Sequence, residues 1–283
     1  MSSARDDAAD SARRYVAAQA AQLRALSPRA AAGDDDAVHD ARTATRRLRA
    51  GLDVSRSLVD DPAPLMDALR DLGRTLGAVR DPAVQLAWLR TALADAPGDD
   101  PPARARLVED RLGARRTGLV ALRRQLRSAV HARLLAGLEA IVDHPWPPDE
   151  GRILHRAGHQ WHRLERALAA ADEAGPEDRD AALHAVRRQA RRTRYAAEVV
   201  GADAARGAAL ASRLQDALGA QHDAVLVRAV LRDVAAQAGA AGEVTATYDW
   251  LVDLADSSAR RGERAAERAT RAVRAAGHRW WRS

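Results

Sequence analysis

Two similar stretches decide the fold class of this chain: residues 38–49 read VHDARTATRRLR, and residues 183–194 read LHAVRRQARRTR. They lie 145 positions apart and share one His and four Arg at matching positions. Ala, Leu and Arg, which favour helix, dominate both stretches, and their apolar residues recur with a period near 3.6. No segment of the chain alternates apolar and polar residues as a half-buried strand does. The sequence therefore predicts an all-α protein.

Two further matches follow the first in the same order. LGAVRD at 76–81 matches LGAQHD at 218–223, and the pair at 115–116 (Arg-Arg) matches the pair at 260–261. Collinear matches of this kind indicate an internal duplication. We predict one domain over residues 1–283, built from two four-helix repeats at 8–143 and 151–278. The intervening residues 143–148, DHPWPP, contain prolines that prevent a helix from continuing.

Prolines also mark the ends of most predicted helices. The predicted helices cover residues 8–27, 36–60, 63–80, 82–95, 102–142, 151–174, 178–201, 205–238 and 243–278.

All 45 positively charged residues, counted without His, are Arg. With 39 acidic residues, the formal net charge of the chain is +6. Arg without Lys is partly the effect of GC-rich codons, so the placement of the Arg is more informative than their number. The absence of Cys excludes disulfides, zinc–thiolate sites and Cys nucleophiles. The first residues lack the apolar segment of a signal peptide, and no stretch is long and apolar enough to span a membrane, so we expect a cytoplasmic protein.

The two similar stretches each place a row of basic side chains along one helix. On a wheel of about 100° per residue, the rows lie beside an apolar face. The rows are His39, Arg42, Arg46 and Arg49 in the first helix, and His184, Arg187, Arg191 and Arg194 in the second. Arg47 and Arg192 fall outside them. Neighbouring guanidiniums repel one another, and their planar donors fit phosphate oxygens, so the rows indicate a polyanion-binding surface. The alternative is a solvated face whose acids come from other helices.

The roles of four residues, two in these rows and two downstream of them, are open to two interpretations. His39 and His184 could donate to an anion, or they could cap a helix or pair with a carboxylate. Asp81 and Asp223 could hold an Arg of a row in place. A helix cap is the preferred interpretation of a carboxylate at these positions, because Pro82 follows Asp81 at a position suited to the first turn.

Other basic residues extend the candidate surface. His155, His159, His162 and Arg166 share a narrow face that could bind an anion, bind a metal, or simply be exposed; the face has no acid, which argues against a metal. Arg115, Arg116, Arg260, Arg261 and Arg264 add charge on later helices, where interspersed acids pair with many of them.

The quoted stretches, VHDARTATRRLRAGL and LHAVRRQARRTRYAAEV, together with LGAVRD and LGAQHD, resemble the CHAD family, the conserved histidine α-helical domain. The resemblance covers about residues 36–276. It implies two four-helix bundles related by a pseudo-twofold axis, and binding of inorganic polyphosphate on a basic surface between them; some members associate with polyphosphate granules. The matching positions are His39, Arg42, Arg46, Arg47, Arg49, His184, Arg187, Arg191, Arg192 and Arg194.

The sequence predicts a binding protein rather than an enzyme. It contains no P-loop, HExxH or Gly-x-Ser-x-Gly motif, and we predict no catalytic residue, metal or cofactor. Without Lys, it also lacks the Glu-x-Glu-x-Lys signature of the CYTH domain that is fused to some relatives. Two alternatives remain. One is binding to a nucleic-acid backbone, although six Trp and three Tyr provide few stacking residues. The other is metal-dependent phosphohydrolysis through the His155 face.

Overall fold

The computed structural model describes residues 3–98, 100–149 and 151–277, and it confirms the all-α prediction. This part of the chain forms nine α-helices and one short 3₁₀ turn, without a β-strand. The helices are α1 Ser3–Ala32, α2 Asp35–Val54, α3 Ala63–Ala94, α4 Pro101–Leu126, α5 Ala129–Asp143, α6 Arg152–Glu173, α7 Arg179–Val200, α8 Ala205–Ala240 and α9 Ala246–Ala276. None of the helices in the described ranges is long and apolar enough to cross a membrane.

The predicted break at Pro82 is wrong, because α3 continues through it to Ala94. Proline has no N–H, so the carbonyl of Ala78, four residues earlier, has no partner within the helix. The backbone of Gly118 in α4 packs against that carbonyl, where a Cβ at 118 would lie 2.4 Å from the oxygen. Residue 118 has no Cβ, and α4 therefore covers the carbonyl that Pro82 leaves free.

The predicted helix 102–142 is also wrong, because it is two helices. Ser128 caps α5 by accepting a hydrogen bond from the backbone N–H of His131 at 3.2 Å, and α4 ends at Leu126. The break gives the described part of residues 8–143 five helices instead of four. The division into two repeats stays a prediction.

The core consists of three apolar clusters. One lies within α1 to α5, and a second joins α6 and α7 to the ends of α1, α2, α8 and α9. The third joins the C-terminal half of α3 and the start of α4 to the C-terminal half of α8 and the start of α9. The predicted repeats did not include this third cluster, which contains Leu107 of α4 and Leu231 of α8.

Two close helix crossings bring the LGA segments to the middle of the molecule. Gly118 of α4 lies against Ala78 of α3, and Gly262 of α9 lies against Gln221 of α8, whose backbone N would be 2.7 Å from a Cβ at 262. The crossings occupy corresponding positions in the two predicted repeats. They place residues 76–81 of α3 and 218–223 of α8 next to the basic rows of α2 and α7.

Candidate functional site

The basic rows of α2 and α7 meet in the structure. Arg42, Arg46, Arg187 and Arg191 form a group that we call the arginine quartet. Burial, followed by repulsion from the other members, lowers the pKa of Arg46 and lowers that of Arg191 to about 10. The Nε atoms of Arg46 and Arg187 are buried and have no hydrogen-bond partner. The neighbours that act on Arg46 and Arg191 are arginines and Tyr195, so these two buried guanidiniums lack the carboxylate partner that a buried charge needs.

Arg46 and Arg191 of the quartet also line a cleft of about 300 Å³ between α2, α6 and α7. The guanidinium side chains at its wall are Arg46, Arg49, Arg163, Arg188, Arg191 and Arg192. Asp53, Gln160 and Tyr195 also line the cleft, and Asp53 is the carboxylate among its lining residues. The cleft is therefore strongly positive.

Carboxylates from α3 and α8 lie at the other end of the quartet. Asp81 pairs with Arg42, whose guanidinium lies across Gly77, 3.4 Å from where a Cβ would be. Asp81 lies inside α3 and Asp223 inside α8, so the preferred interpretation as helix caps is wrong for both. The alternative role of holding an Arg of a row is confirmed for Asp81, which pairs with Arg42. Burial raises the pKa of Asp223, while Arg187 and Arg42 oppose that shift.

The histidines of the two rows are not helix caps. Asp34 caps α2, accepting hydrogen bonds from two backbone N–H groups, and His39 lies a full turn beyond it. His184 contacts His222 of α8, with 3.0 Å between their Nδ1 atoms, and not a carboxylate. Burial and nearby arginines lower the pKa of both His39 and His184. Donation to an anion stays a prediction for both histidines.

Glu198 of α7 forms ion pairs with two of the arginines that were predicted to bind the anion. It accepts hydrogen bonds from the Nε atoms of Arg47 at 3.1 Å and Arg194 at 2.8 Å, and from the hydroxyl of Tyr15 at 3.1 Å. Both guanidiniums lie 5.6 Å from the ring centre of Tyr195. This network connects α1, α2 and α7.

The surroundings of two arginines of α7 differ from those that the wheel suggests. It placed Arg194 in the row and Arg192 outside it, but Arg192 lines the cleft and Arg194 pairs with Glu198. A wheel treats each helix alone, and Glu198 lies four residues after Arg194, where it can capture that side chain.

The other predicted site residues lie away from the quartet. His155 and His159 contact each other through their Nε2 atoms at 3.1 Å and line a separate surface depression, while His162 contacts Glu165. Arg166 is exposed. The ranges that the structure describes contain no group of three side chains that could hold a metal ion.

The arginines predicted on the later helices mostly have local partners. Arg115 donates to Asp35 and to the carbonyl of Gly33, both at 2.9 Å, so it fastens α4 to the α1–α2 turn. Arg116 pairs with Glu109 at 3.4 Å. The exposed side chains of Arg260 and Arg261 donate to serines one turn earlier, and Arg264 is exposed.

Sequence reasoning missed several residues that the structure brings to the site. They are Arg80, Arg163, Arg188, Tyr195 and His222. A signal for two of them was present, because Arg80 and His222 occupy the same position in the matched segments LGAVRD and LGAQHD. Nothing in the sequence indicated a role for Arg163, because it lies outside every repeated segment.

The fold and site define a helical protein with an arginine-lined cleft between two halves, and comparison with known proteins identifies its family. The CHAD domain model matches residues 14–232. Two uncharacterized proteins of Mycobacterium tuberculosis, from strains CDC 1551 / Oshkosh and ATCC 25618 / H37Rv, are each 35% identical over 291 residues. The alignments cover 95% of this chain and 55% of each relative, so the chain spans about half their length.

Two solved structures share the fold. PptA from Streptomyces chartreusis has a TM-score of 0.78 at 21% identity, covering 93% of this chain and 99% of that one. The CHAD domain from the plant Ricinus communis has a TM-score of 0.70 at 21% identity, covering 96% and 91%. The chain belongs to the CHAD family.

Proposed function

We propose that this protein binds inorganic polyphosphate, without catalysis, in the cleft between α2 and α7. The arginine quartet is the observation that carries the proposal. The strongest neighbours of Arg46 and Arg191 are other guanidiniums and Tyr195. Buried guanidiniums that repel one another are stabilised by an anion, and phosphate oxygens match their planar donors.

The lining of the cleft favours polyphosphate over a nucleic acid. Proteins that bind single strands stack bases on exposed aromatic rings. Tyr195 is the aromatic residue among the lining side chains, and it is only 3% exposed, with guanidiniums near its ring. A chain of phosphates without bases needs no such ring. Membership of the CHAD family supports the same ligand.

A binding series with long-chain polyphosphate, tRNA and duplex DNA, at matched phosphate concentration, tests the proposal. We expect polyphosphate to bind most tightly. Its affinity should fall steeply with salt, by analogy with the slope of about −0.7 per phosphate contact for single strands. Equal or tighter binding of tRNA would favour the nucleic-acid alternative.

A triple variant locates the site. Arg46→Ala, Arg49→Ala and Arg191→Ala together should weaken polyphosphate binding at least about a hundredfold, since each charge-assisted contact contributes roughly 1.5–3 kcal/mol before offsets. The matched control removes Arg24, Arg74 and Arg274, each paired with an acid away from the cleft. It makes the same change of charge. Equal weakening in both variants would show that net charge, not the cleft, binds the ligand.

We expect no turnover of the bound chain. Phosphate release should stay at background with Mg²⁺, Mn²⁺ or Zn²⁺ added, because most of the charged side chains in the cleft are guanidiniums, which donate hydrogen bonds and stay protonated. Polyphosphate binding would also bring the protein to polyphosphate granules. Microscopy of a fluorescent fusion of this protein can test that localisation. Release of phosphate that disappears when His155 and His159 are replaced would support the hydrolase alternative instead.

A further inference from the structure

Two histidines from different helices contact each other at the edge of the arginine quartet. The Nδ1 atoms of His184 in α7 and His222 in α8 are 3.0 Å apart, and their ring centres are 4.2 Å apart. A neutral imidazole has one N–H, so one ring donates through Nδ1 and the other accepts. The donating ring therefore has a free Nε2, and it can take up a proton there without breaking the contact.

The surroundings of the pair keep it neutral while no ligand is bound. Burial, then Arg187, His184, Arg191 and Arg42, lower the pKa of His222 to about 4. Burial, then Arg188, Arg187 and Arg191, lower the pKa of His184.

Carboxylates face the same region but do not offset this repulsion. Asp81 of α3 is paired with Arg42, and Asp223 of α8 is surrounded by arginines. The charged groups around Asp223 are Arg42 of α2, Arg80 and Asp81 of α3, Arg187 of α7 and Arg261 of α9. The charged groups that α2, α7 and α9 contribute here are therefore all arginines.

We propose that His184 and His222 form a phosphate-binding subsite that becomes positively charged only when the polyanion is bound. This inference rests on the proposed function. A polyanion across the quartet neutralises the guanidiniums that repel the imidazoles, and its own charge attracts an imidazolium. One proton from the solvent then forms an N–H bond on the donating ring. The resulting imidazolium donates a charge-assisted hydrogen bond to its neutral partner.

Proton uptake fixes the sign of the pH dependence. The pKa of the pair is low in the free protein and higher in the complex, so the complex holds more protons at pH values between the two. Affinity therefore increases as the pH falls through that interval, by at most about tenfold per pH unit for one proton. Above the interval, the protonation of this pair no longer makes affinity depend on pH.

Calorimetry on the full chain tests the inference directly. Long-chain polyphosphate is titrated at about pH 6.5, near the ordinary pKa of His, in Pipes and in imidazole buffer, which differ in their enthalpy of protonation. The difference in binding enthalpy gives the number of protons taken up. We expect uptake of up to one proton by the wild-type protein, and a clear loss of uptake in the double variant His184→Gln, His222→Gln. The control His144→Gln, an exposed histidine elsewhere, should behave as wild type.

The possible outcomes separate this inference from the proposed function. Binding with equal enthalpy in both buffers would overturn the inference and leave the proposed function intact. Uptake that is unchanged in the double variant would also overturn it, since the protons would then enter elsewhere, for example at the ends of the polyphosphate chain. Absence of polyphosphate binding would overturn both. The wild-type measurement needs no variant, so a folding defect in the double variant does not prevent the test.

Discussion

At the scale of single residues, carboxylates sort the arginines of α2 and α7 into two groups. Glu198 holds Arg47 and Arg194, and its side chain is only 21% exposed. Arg46 and Arg191 have no such partner and face other guanidiniums. An arginine already engaged with a carboxylate must lose that pair before it can bind an external anion. The two groups should therefore respond differently to mutation.

We expect Arg191→Ala to weaken polyphosphate binding at least about tenfold, because one charge-assisted contact contributes roughly 1.5–3 kcal/mol. Arg194→Ala, three residues away, should weaken binding less than about threefold and instead lower stability, since it leaves Glu198 with one fewer donor. Isothermal titration and urea unfolding of both variants measure the two effects. Similar losses of affinity would contradict this division.

The histidines also make stability depend on pH in a defined direction. Burial lowers the pKa of His131, His184 and His222, so the folded protein binds fewer protons than the unfolded chain between about pH 4 and about pH 6.5. Their contribution is fully present above that interval and is lost as the pH falls through it. The ligand-free protein should therefore have a lower urea midpoint at about pH 5 than at about pH 7.5.

The raised pKa of Asp223 acts in the opposite direction and partly offsets this loss. His222→Gln should show a smaller drop in urea midpoint between the two pH values than wild type. A wild-type midpoint that is equal or higher at the lower pH would show that the histidines are not held neutral in the folded state.

At the scale of elements, the glycine crossings set how closely the helices approach. A Cβ at residue 118 would lie 2.4 Å from the carbonyl oxygen of Ala78, so α3 and α4 must separate to admit it. We expect Gly118→Ala to lower the free energy of unfolding by about 1–3 kcal/mol. Gly113→Ala on the same helix meets nothing closer than 3.8 Å, and should be neutral or stabilising by up to about 1 kcal/mol. Urea unfolding compares the two variants, and equal effects would contradict the role of the crossing.

Sequence patterns predicted the helices well and their interruptions poorly. Periodicity assigned helix to most residues that are helical in the described ranges, but it did not separate α4 from α5. The break at Pro82 was wrong since the backbone of a distant residue, Gly118, covers the freed carbonyl. For the site, the basic rows were predictable from spacing. Which arginines pair with a carboxylate was not predictable, because Glu198 of α7 contacts residues of α1 and α2 as well. The sequence of a single helix does not reveal contacts with other helices.

At the scale of the whole molecule, the third cluster makes the two halves depend on each other. Leu231 of α8 is fully buried in this cluster, which also contains residues of α3, α4 and α9. We expect Leu231→Ala to lower stability by about 2–5 kcal/mol. We also expect it to increase amide hydrogen exchange in α4 as well as in α8. Mass spectrometry of the exchanged peptides measures this, and an increase confined to residues 205–277 would show that the halves open independently.

The two longest helices carry Asp81 and His222, which flank the arginine quartet, near their midpoints. α3 has 32 residues and α8 has 36, so they are about 48 and about 54 Å long. Ala78 and His222 lie at their centres, where α4 and α9 cross most closely. A rod that rocks about a fixed point moves most at its ends and least at the pivot. Rocking of α3 or α8 about these crossings would therefore displace Asp81 and His222 least, and their contacts with Arg42 and His184 would be kept.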